Sequence, residues 1–339
     1  MAVGLKEIAK QAGVSAVTVS AALNGTGRVG DKKRREIMRI AERLKYQPNT
    51  LAQTLKSKSV DSIGLIINAP PEEIPGSGVM SELVMHFIQE CESRNCKYHI
   101  EFVDSLNGRD KLPDIISSGF VGGVLCAGYI NERQTRFKNW LGNHPDFPFV
   151  KFEEPYDYCL RSDLVNGMLH ALKYLQQQGH SSVALHVGPQ QYDFHNLVFR
   201  GFTQGVDVLS MKCREEWVYR HVSGRDDMSE KFAWVKKIMN AQESPTAMIC
   251  AGMGASRNVI NSLYQLGLRV PEDLSIVGIG AGWEATAIYP LVTAIERDLA
   301  GMVEKAICIL NKRMKGEYPM PGENWVTPKL VVRDTVAAV

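Results

Sequence analysis

The 339-residue chain has no run of 18 apolar residues, so no segment reads as a membrane-spanning helix. It has no C-x-x-C pair. Its seven cysteines, Cys91, Cys96, Cys126, Cys159, Cys213, Cys250 and Cys308, are odd in number and scattered. That excludes a disulfide framework or a zinc knuckle and predicts reduced, mostly buried thiols. Neither G-x-x-x-x-G-K-[ST] nor H-E-x-x-H occurs. In Gly278-Ile279-Gly280-Ala281-Gly282-Trp283, Trp283 stands where a dinucleotide loop needs its third glycine. Gly254-Ala255-Ser256-Arg257-Asn258 lacks the closing glycine of a nucleophile elbow. No catalytic apparatus, cofactor or metal site is therefore expected. An apolar secretion segment is missing from Met1–Glu7, which predicts a cytoplasmic protein. Trp and His are missing from the first 80 residues, so that stretch differs in kind from the rest.

Charge separates the same two parts. Residues 1–60 hold twelve Lys and Arg against four acids, a balance of +8, while the remainder holds 27 bases against 33 acids, or −6. A small basic unit on a larger acidic one fits a polyanion-binding head on a body with another task. On charge alone, a solvated basic helix face explains it equally well.

Spacing favours the first reading. Leu5, Ile8, Ala9 and Ala12 recur at i, i+3, i+4 and i+7, the mark of a short amphipathic helix. Gly13 permits a tight turn, and Ser15 is placed to cap the next helix, Ala16 to Asn24, with Val19, Ala22 and Leu23 on one side. A third helix from about Asp31 buries Ile37, Ile40, Ala41 and Leu44. Helix, glycine turn, helix within so short a span is the helix-turn-helix pattern, whose second helix enters the major groove.

Ile8-Ala9-Lys10-Gln11-Ala12-Gly13-Val14-Ser15, Thr18-Val19-Ser20, Leu23-Asn24 and Tyr46-Gln47-Pro48-Asn49 closely resemble the head of the lactose/galactose repressor (LacI/GalR) family. Leu51-Ala52 and Leu55 continue the match into its hinge helix. The resemblance implies a regulator, by expectation a repressor, that binds double-stranded operator DNA as a homodimer. Ala16, Val17 and Ala21 then occupy base-reading positions. The family commonly has Arg at the last of these. None of the three can hydrogen-bond a base in two places, although each can touch a thymine methyl. Thr18, Ser20, Asn24, Arg28, Lys33 and Arg34 complete the set in the head, chiefly on phosphates, and DNA shape carries part of the specificity. Pro48 starts a new element, in which Asn49, Ala52 and Gln53 face DNA and Leu55 matches the family's minor-groove wedge. So short a helix is marginal alone in water, and a flexible tether is the alternative.

Beyond residue 60, strand and helix patterns alternate. Strands are expected at Ser62–Ile67, Lys97–Val103, Val121–Ala127, Phe147–Phe152, Ser182–Val187, Thr246–Ala251 and Leu274–Ile279. Helices are expected near Ser81–Ser93, Leu112–Ser118, Glu132–Leu141, Leu164–Gln178, Phe199–Val208, Met228–Asn240 and Ser256–Leu266. Such alternation predicts an α/β fold of parallel sheets wrapped by helices, in two lobes. Gly179-His180-Ser181-Ser182-Val183-Ala184, Gly188-Pro189, Arg200-Gly201-Phe202 and Gly267 to Gly278 resemble segments of the family's periplasmic-binding-protein-like core. The expected division is a head over 1–48, hinge and linker over 49–60, a first lobe over 61–161 plus about 291–320, and a second over 162–290 plus about 321–339. Crossings between lobes are expected near Arg161–Asp163, Tyr289–Pro290 and Pro319–Pro321.

The same resemblance implies a small-molecule effector in the interlobe cleft. Arg200 and Asp163 fall at family effector positions, where a guanidinium fork and a carboxylate suit anions and hydroxyls; an ion pair within the fold is the alternative. Tyr192, Asp193 and His195, in the loop before Arg200, are further candidates, His195 equally a solvated loop residue. Gly252-Met253 replaces the family's usual Asn-Asp, and Gly280-Ala281 replaces its usual Asp. Both changes argue against a free hexose. Trp283 either stacks on a ring or packs. The expected effector is a sugar derivative or other anionic metabolite, and an effector-independent regulator or a sensor without regulated DNA binding is the alternative.

Overall fold

The computed structural model describes residues 5–23, 29–44, 61–69, 78–104, 109–190, 192–220 and 228–339. The chain divides into a unit over 1–58 and a unit over 59–339. The hinge expected at Asn49–Lys56 lies outside the described residues.

The first unit contains helices α1 (Leu5–Ala12), α2 (Ala16–Leu23) and α3 (Asp31–Arg43). Its core is the set the periodicity selects: Ile8, Ala9, Ala12, Val19, Ala22, Ile37, Ile40 and Ala41 are all buried. Gly13 takes φ +64° in the turn, a region costly for residues with a Cβ. Ser15 caps α2, its Oγ accepting from the Thr18 amide at 3.1 Å. Arg43 of α3 donates to Gln11 of α1 at 2.7 Å, closing the bundle on its polar side.

The second unit has two six-stranded sheets. The first, in spatial order β11-β5-β4-β3-β1-β2, comprises β1 (Ser62–Asn68), β2 (Lys97–Val103), β3 (Gly123–Ala127), β4 (Phe149–Phe152), β5 (Tyr158–Ser162) and β11 (Gly322–Val326), and its pairings are parallel. The second, ordered β12-β10-β9-β8-β6-β7, comprises β6 (Val183–Val187), β7 (Val218–Arg220), β8 (Ala247–Cys250), β9 (Ser275–Gly280), β10 (Thr293–Glu296) and β12 (Lys329–Val331). Only β12 runs antiparallel there.

Helices cover both faces, which is why the inner strands are buried throughout. Side chains alternate across β1. Ile63, Leu65 and Ile67 pack with Leu83 and Phe87 of α4 (Gly78–Ser93) and with Met302, Val303 and Leu310 of α12 (Leu299–Met314). Ile66 faces the other way, toward Ile115 of α5 (Asp114–Ser117) and Phe137 of α6 (Thr135–Asn143). In the second sheet, α7 (Leu164–Gln177) and α8 (Asp193–Val208) cover one face. Helices α9 (Met228–Met239), α10 (Met253–Gln265) and α11 (Gly282–Thr286) cover the other. The seven cysteines are all free thiols. Among the described residues no helix is long and apolar enough to cross a membrane.

Two expected crossings move. Strand β10 pairs with β9, so the chain remains in the second lobe through Glu296 rather than leaving at Tyr289–Pro290. Strand β11 pairs with β5, so it remains in the first lobe through Val326 rather than leaving at Pro319–Pro321. Pro290 instead precedes β10, and the Pro319 carbonyl accepts from Tyr158 Oη at 2.9 Å within the first lobe. Helix α8 also begins six residues earlier than Phe199, so Asp193 and His195 lie in its first turn, not in a loop.

Candidate functional site

In each sheet the strand order reverses once, between β1 and β3 and between β6 and β8. Loops at such points diverge and leave a crevice beyond the carboxyl ends of the strands. A cavity of about 340 Å³ lies there, within the usual range for small-molecule sites. Asn68, Gly128, Phe152, Glu153 and Glu154 reach it from the ends of β1, β3 and β4, and Ala251, Gly280 and Arg297 from the ends of β8, β9 and β10. Tyr192, Phe194 and His195 enter from the start of α8, Met80 from α4 and Met253 from α10.

Its polar groups are held firmly. Asn68 and Gln134 exchange a pair of side-chain hydrogen bonds at 2.7 and 3.0 Å, and Asn68 also donates to the Tyr129 carbonyl at 2.7 Å. Glu153 has φ +63°, an unfavourable conformation for a residue with a side chain. Its carboxylate compensates by accepting from the Ser162 amide at 3.0 Å, the Ser162 hydroxyl at 2.5 Å and Arg297 Nη1 at 3.1 Å. Arg297 also lies over the Phe194 ring, 5.0 Å from its centroid. His195 Nδ1 accepts from the Gly188 amide at 3.2 Å, which fixes the neutral tautomer with its proton on Nε2.

Glu284 of α11 spans the lobes. Its Oε1 accepts from the amide of Gly78, the first residue of α4, at 3.1 Å, placing a carboxylate at a helix N-terminus. Burial nevertheless pushes its carboxyl above the usual carboxylate range, against the Gly78 hydrogen bond. Burial likewise raises Glu154, with the Asp193 charge adding to it and Lys151 and Arg161 opposing. Lys151 is buried and donates to the Gly128 carbonyl.

Of the effector candidates, Tyr192 and His195 line the cavity. Asp163 does not: it caps α7, accepting from the Asn166 amide at 3.2 Å and the Asn166 side chain at 2.6 Å. Asp193 is held in an ion pair with Arg161 across the lobes, and Arg161 binds Glu323 at 2.8 Å as well. Arg200 is exposed, five residues beyond His195 in α8 or about 7.5 Å along the axis, and does not line the cavity. Trp283 is half exposed beside a smaller hollow that it shares with Ser81 and Arg257. Arg200, where an anionic ligand was expected, is not among the residues that line the cavity. Glu153, Glu154, Glu284 and Arg297 were missed, although Glu153-Glu154 directly follow a recognised strand whose end faces the cleft. Among the described residues no group of three His, Cys, Asp or Glu could hold a metal ion.

In the first unit, α2 carries Ala16, Val17, Thr18, Ser20 and Ala21, and Val17 is 76% exposed, available to a partner surface. Thr18 Oγ1 is 2.8 Å from Ser15 Oγ. On α3, Lys33 pairs with Glu36 at 3.0 Å, while Arg34 Nε has no partner among the described residues. Asn24, Arg28, Asn49, Ala52, Gln53 and Leu55 lie outside the described residues.

A helix-turn-helix unit joined to a two-lobed core with a cavity between its sheets defines a DNA-binding transcriptional regulator with a periplasmic-binding-protein-like core. Residues 4–49 match the bacterial regulatory proteins, lacI family, and residues 172–336 match the periplasmic binding protein-like domain. The chain belongs to the LacI/GalR family. It is similar to the HTH-type transcriptional repressor PurR of Histophilus somni (strain 129Pt), 25% identical over 98% of both chains. The protein of that name from Actinobacillus pleuropneumoniae serotype 3 (strain JL03) is 27% identical, again over 98% of each. Among solved structures, the lac repressor dimer bound to operator and the anti-inducer ONPF superposes with a TM-score of 0.84, at 20% identity over the whole of both chains. The transcriptional regulator CelR–cellobiose complex gives 0.71 at 21% identity, covering 98% of this chain and 99% of that one.

Proposed function

We propose that the protein is a cytoplasmic transcriptional repressor that binds a pseudo-palindromic operator as a homodimer and is modulated by a small molecule in the interlobe cavity. The observation that carries this reading is the coexistence of a basic helix-turn-helix unit with a core enclosing about 340 Å³ between two parallel sheets. Base contacts come from Ala16, Val17 and Ala21, phosphate contacts from Thr18, Ser20, Asn24, Arg28, Lys33 and Arg34, and hinge contacts from Asn49, Ala52, Gln53 and Leu55. Exposed Met85 on α4 and Phe102 on the edge strand β2 support self-association through the first lobe. The names of the relatives, repressors rather than enzymes, support the role.

The cavity favours effector control over an effector-independent regulator, because Glu284 and Arg297 meet first-lobe partners at its walls, where a ligand can change the lobe geometry. Coupling of this kind amounts to about 1–3 kcal/mol. Selection of tight-binding duplexes from a random pool by the full-length protein tests the reading. The expected product is an inverted repeat with half-sites about one helical turn apart. Recovery of single, unpaired half-sites, or of no sequence preference, contradicts it.

A further inference from the structure

We propose that the ligand of the interlobe cavity is an organic cation, a protonated amine or amidine on a compact apolar or aromatic body. The inference rests on reading this cavity as the effector site and adds the class of molecule that fills it. Among the described residues, three carboxylates line the cavity, Glu153, Glu154 and Glu284, against one guanidinium, Arg297. Glu153 and Arg297 neutralise each other at 3.1 Å. Glu154 and Glu284 are left without a salt-bridge partner among the described residues; of the two cations near Glu154, Arg161 is already taken by Asp193 and Glu323, and Lys151 donates to the Gly128 carbonyl.

Half-buried carboxylates that face a cavity gain most from a cation brought into it, since charge-assisted hydrogen bonds strengthen where water is excluded. An anion finds only a guanidinium already paired. The remaining walls, Tyr129, Phe152, Phe194, Met80 and Met253, suit an apolar body, and the aromatic faces themselves attract a cation. Arg297 supplies a second constraint. Its side chain is 7% exposed and held between the Glu153 carboxylate and the Phe194 ring, so it is not free to turn toward an anionic ligand.

Protonation follows from the same walls. Burial raises both carboxyls; Lys151 and Arg161 oppose it and Asp193 reinforces it at Glu154, while Arg297 opposes it and Glu82 reinforces it at Glu284. An amine needs the ionised form. Its affinity therefore declines as pH falls, beginning above the ordinary carboxylate range. His195 also lines the cavity, so the dependence is assigned with variants of the glutamates.

The test is calorimetry on the full-length protein with phenethylamine, 2-phenylethanol and phenylacetate, which share one skeleton. Phenethylamine is expected to bind about tenfold more tightly than the alcohol, with phenylacetate weakest. Glu154→Gln and Glu284→Gln keep shape and hydrogen bonding, and each is expected to remove most of the amine's advantage and flatten its pH dependence. Failure of the amine to bind, equal or tighter binding of the other two, or an amine preference that persists in both variants overturns the proposal. Gly254→Trp, placed where a Cβ meets open space at the cavity wall, separates the two levels. If the alcohol or the acid binds the parent protein best and Gly254→Trp abolishes it, the cavity remains the site and the cation is wrong. Probe binding that ignores Gly254→Trp removes the cavity reading itself.

Discussion

Gly78 and Glu284 show how one atom decides a contact between lobes. A Cβ built on Gly78 would lie 1.9 Å from Glu284 Cδ, so any side chain there expels the carboxylate that now accepts from the Gly78 amide. Gly78→Ala is expected to cost about 1–2 kcal/mol through that lost bond, visible as a lower Tm. An unchanged Tm would mean the two lobes do not rely on it. His180 makes a pH-dependent case. It is 2% exposed, with Nδ1 2.9 Å from Thr246 Oγ1 and Nε2 3.1 Å from the Ala337 carbonyl, and burial holds its pKa below the usual histidine value. The native state therefore keeps a neutral ring while the unfolded chain takes up a proton near pH 6.5, so stability falls as pH drops below about 6.5. Tm measured between pH 7.5 and about 5.5 should fall more steeply in the parent than in His180→Gln. Parallel curves would contradict the assignment.

Elements were legible wherever a period was long enough to read. The head's core residues follow 3.6-residue spacing, and β1, β3, β6, β8 and β9 are continuous apolar runs buried on both faces. Other strands were not legible: β5, which contains Arg161, β11, which contains Glu323, and β7 and β12, with three residues each. The site follows the same division. Tyr192 and His195, expected from their place before a recognised segment, line the cavity, whereas Asp163 and Asp193 are polar groups spent on a helix cap and an ion pair. Position along the chain does not reveal where a side chain points: Arg200 is exposed and does not line the cavity, and Trp283 lines the smaller hollow beside it. Leu55 carries a prediction at this scale, resting on the resemblance of Asn49–Lys56 to the family hinge. Because Ala16, Val17 and Ala21 offer little hydrogen-bonded readout, Leu55→Ala should weaken operator binding far more than binding to scrambled duplex at one salt concentration. Alanine is the better helix former, so propensity does not account for such a loss. Equal weakening on both duplexes contradicts a wedge.

At the scale of the whole molecule, the charge split and the division into compact units coincide. The +8 segment over residues 1–60 contains the helix-turn-helix unit over 1–58, and the −6 remainder contains the two sheets and the cavity. An acidic body has no electrostatic reason to hold DNA, and a head with this surplus of bases does. The two functions are thus expected to be separable by cutting between them. The most direct measurement is fluorescence anisotropy of full-length protein and of residues 59–339 on the same labelled operator over a salt series. The full-length chain should bind with an affinity that falls steeply with salt, with a slope near −0.9 for each phosphate neutralised, while the core, still folded by circular dichroism, should not bind. A core that binds the duplex as tightly as the full chain, or full-length binding indifferent to salt, would contradict the assignment of DNA recognition to the head.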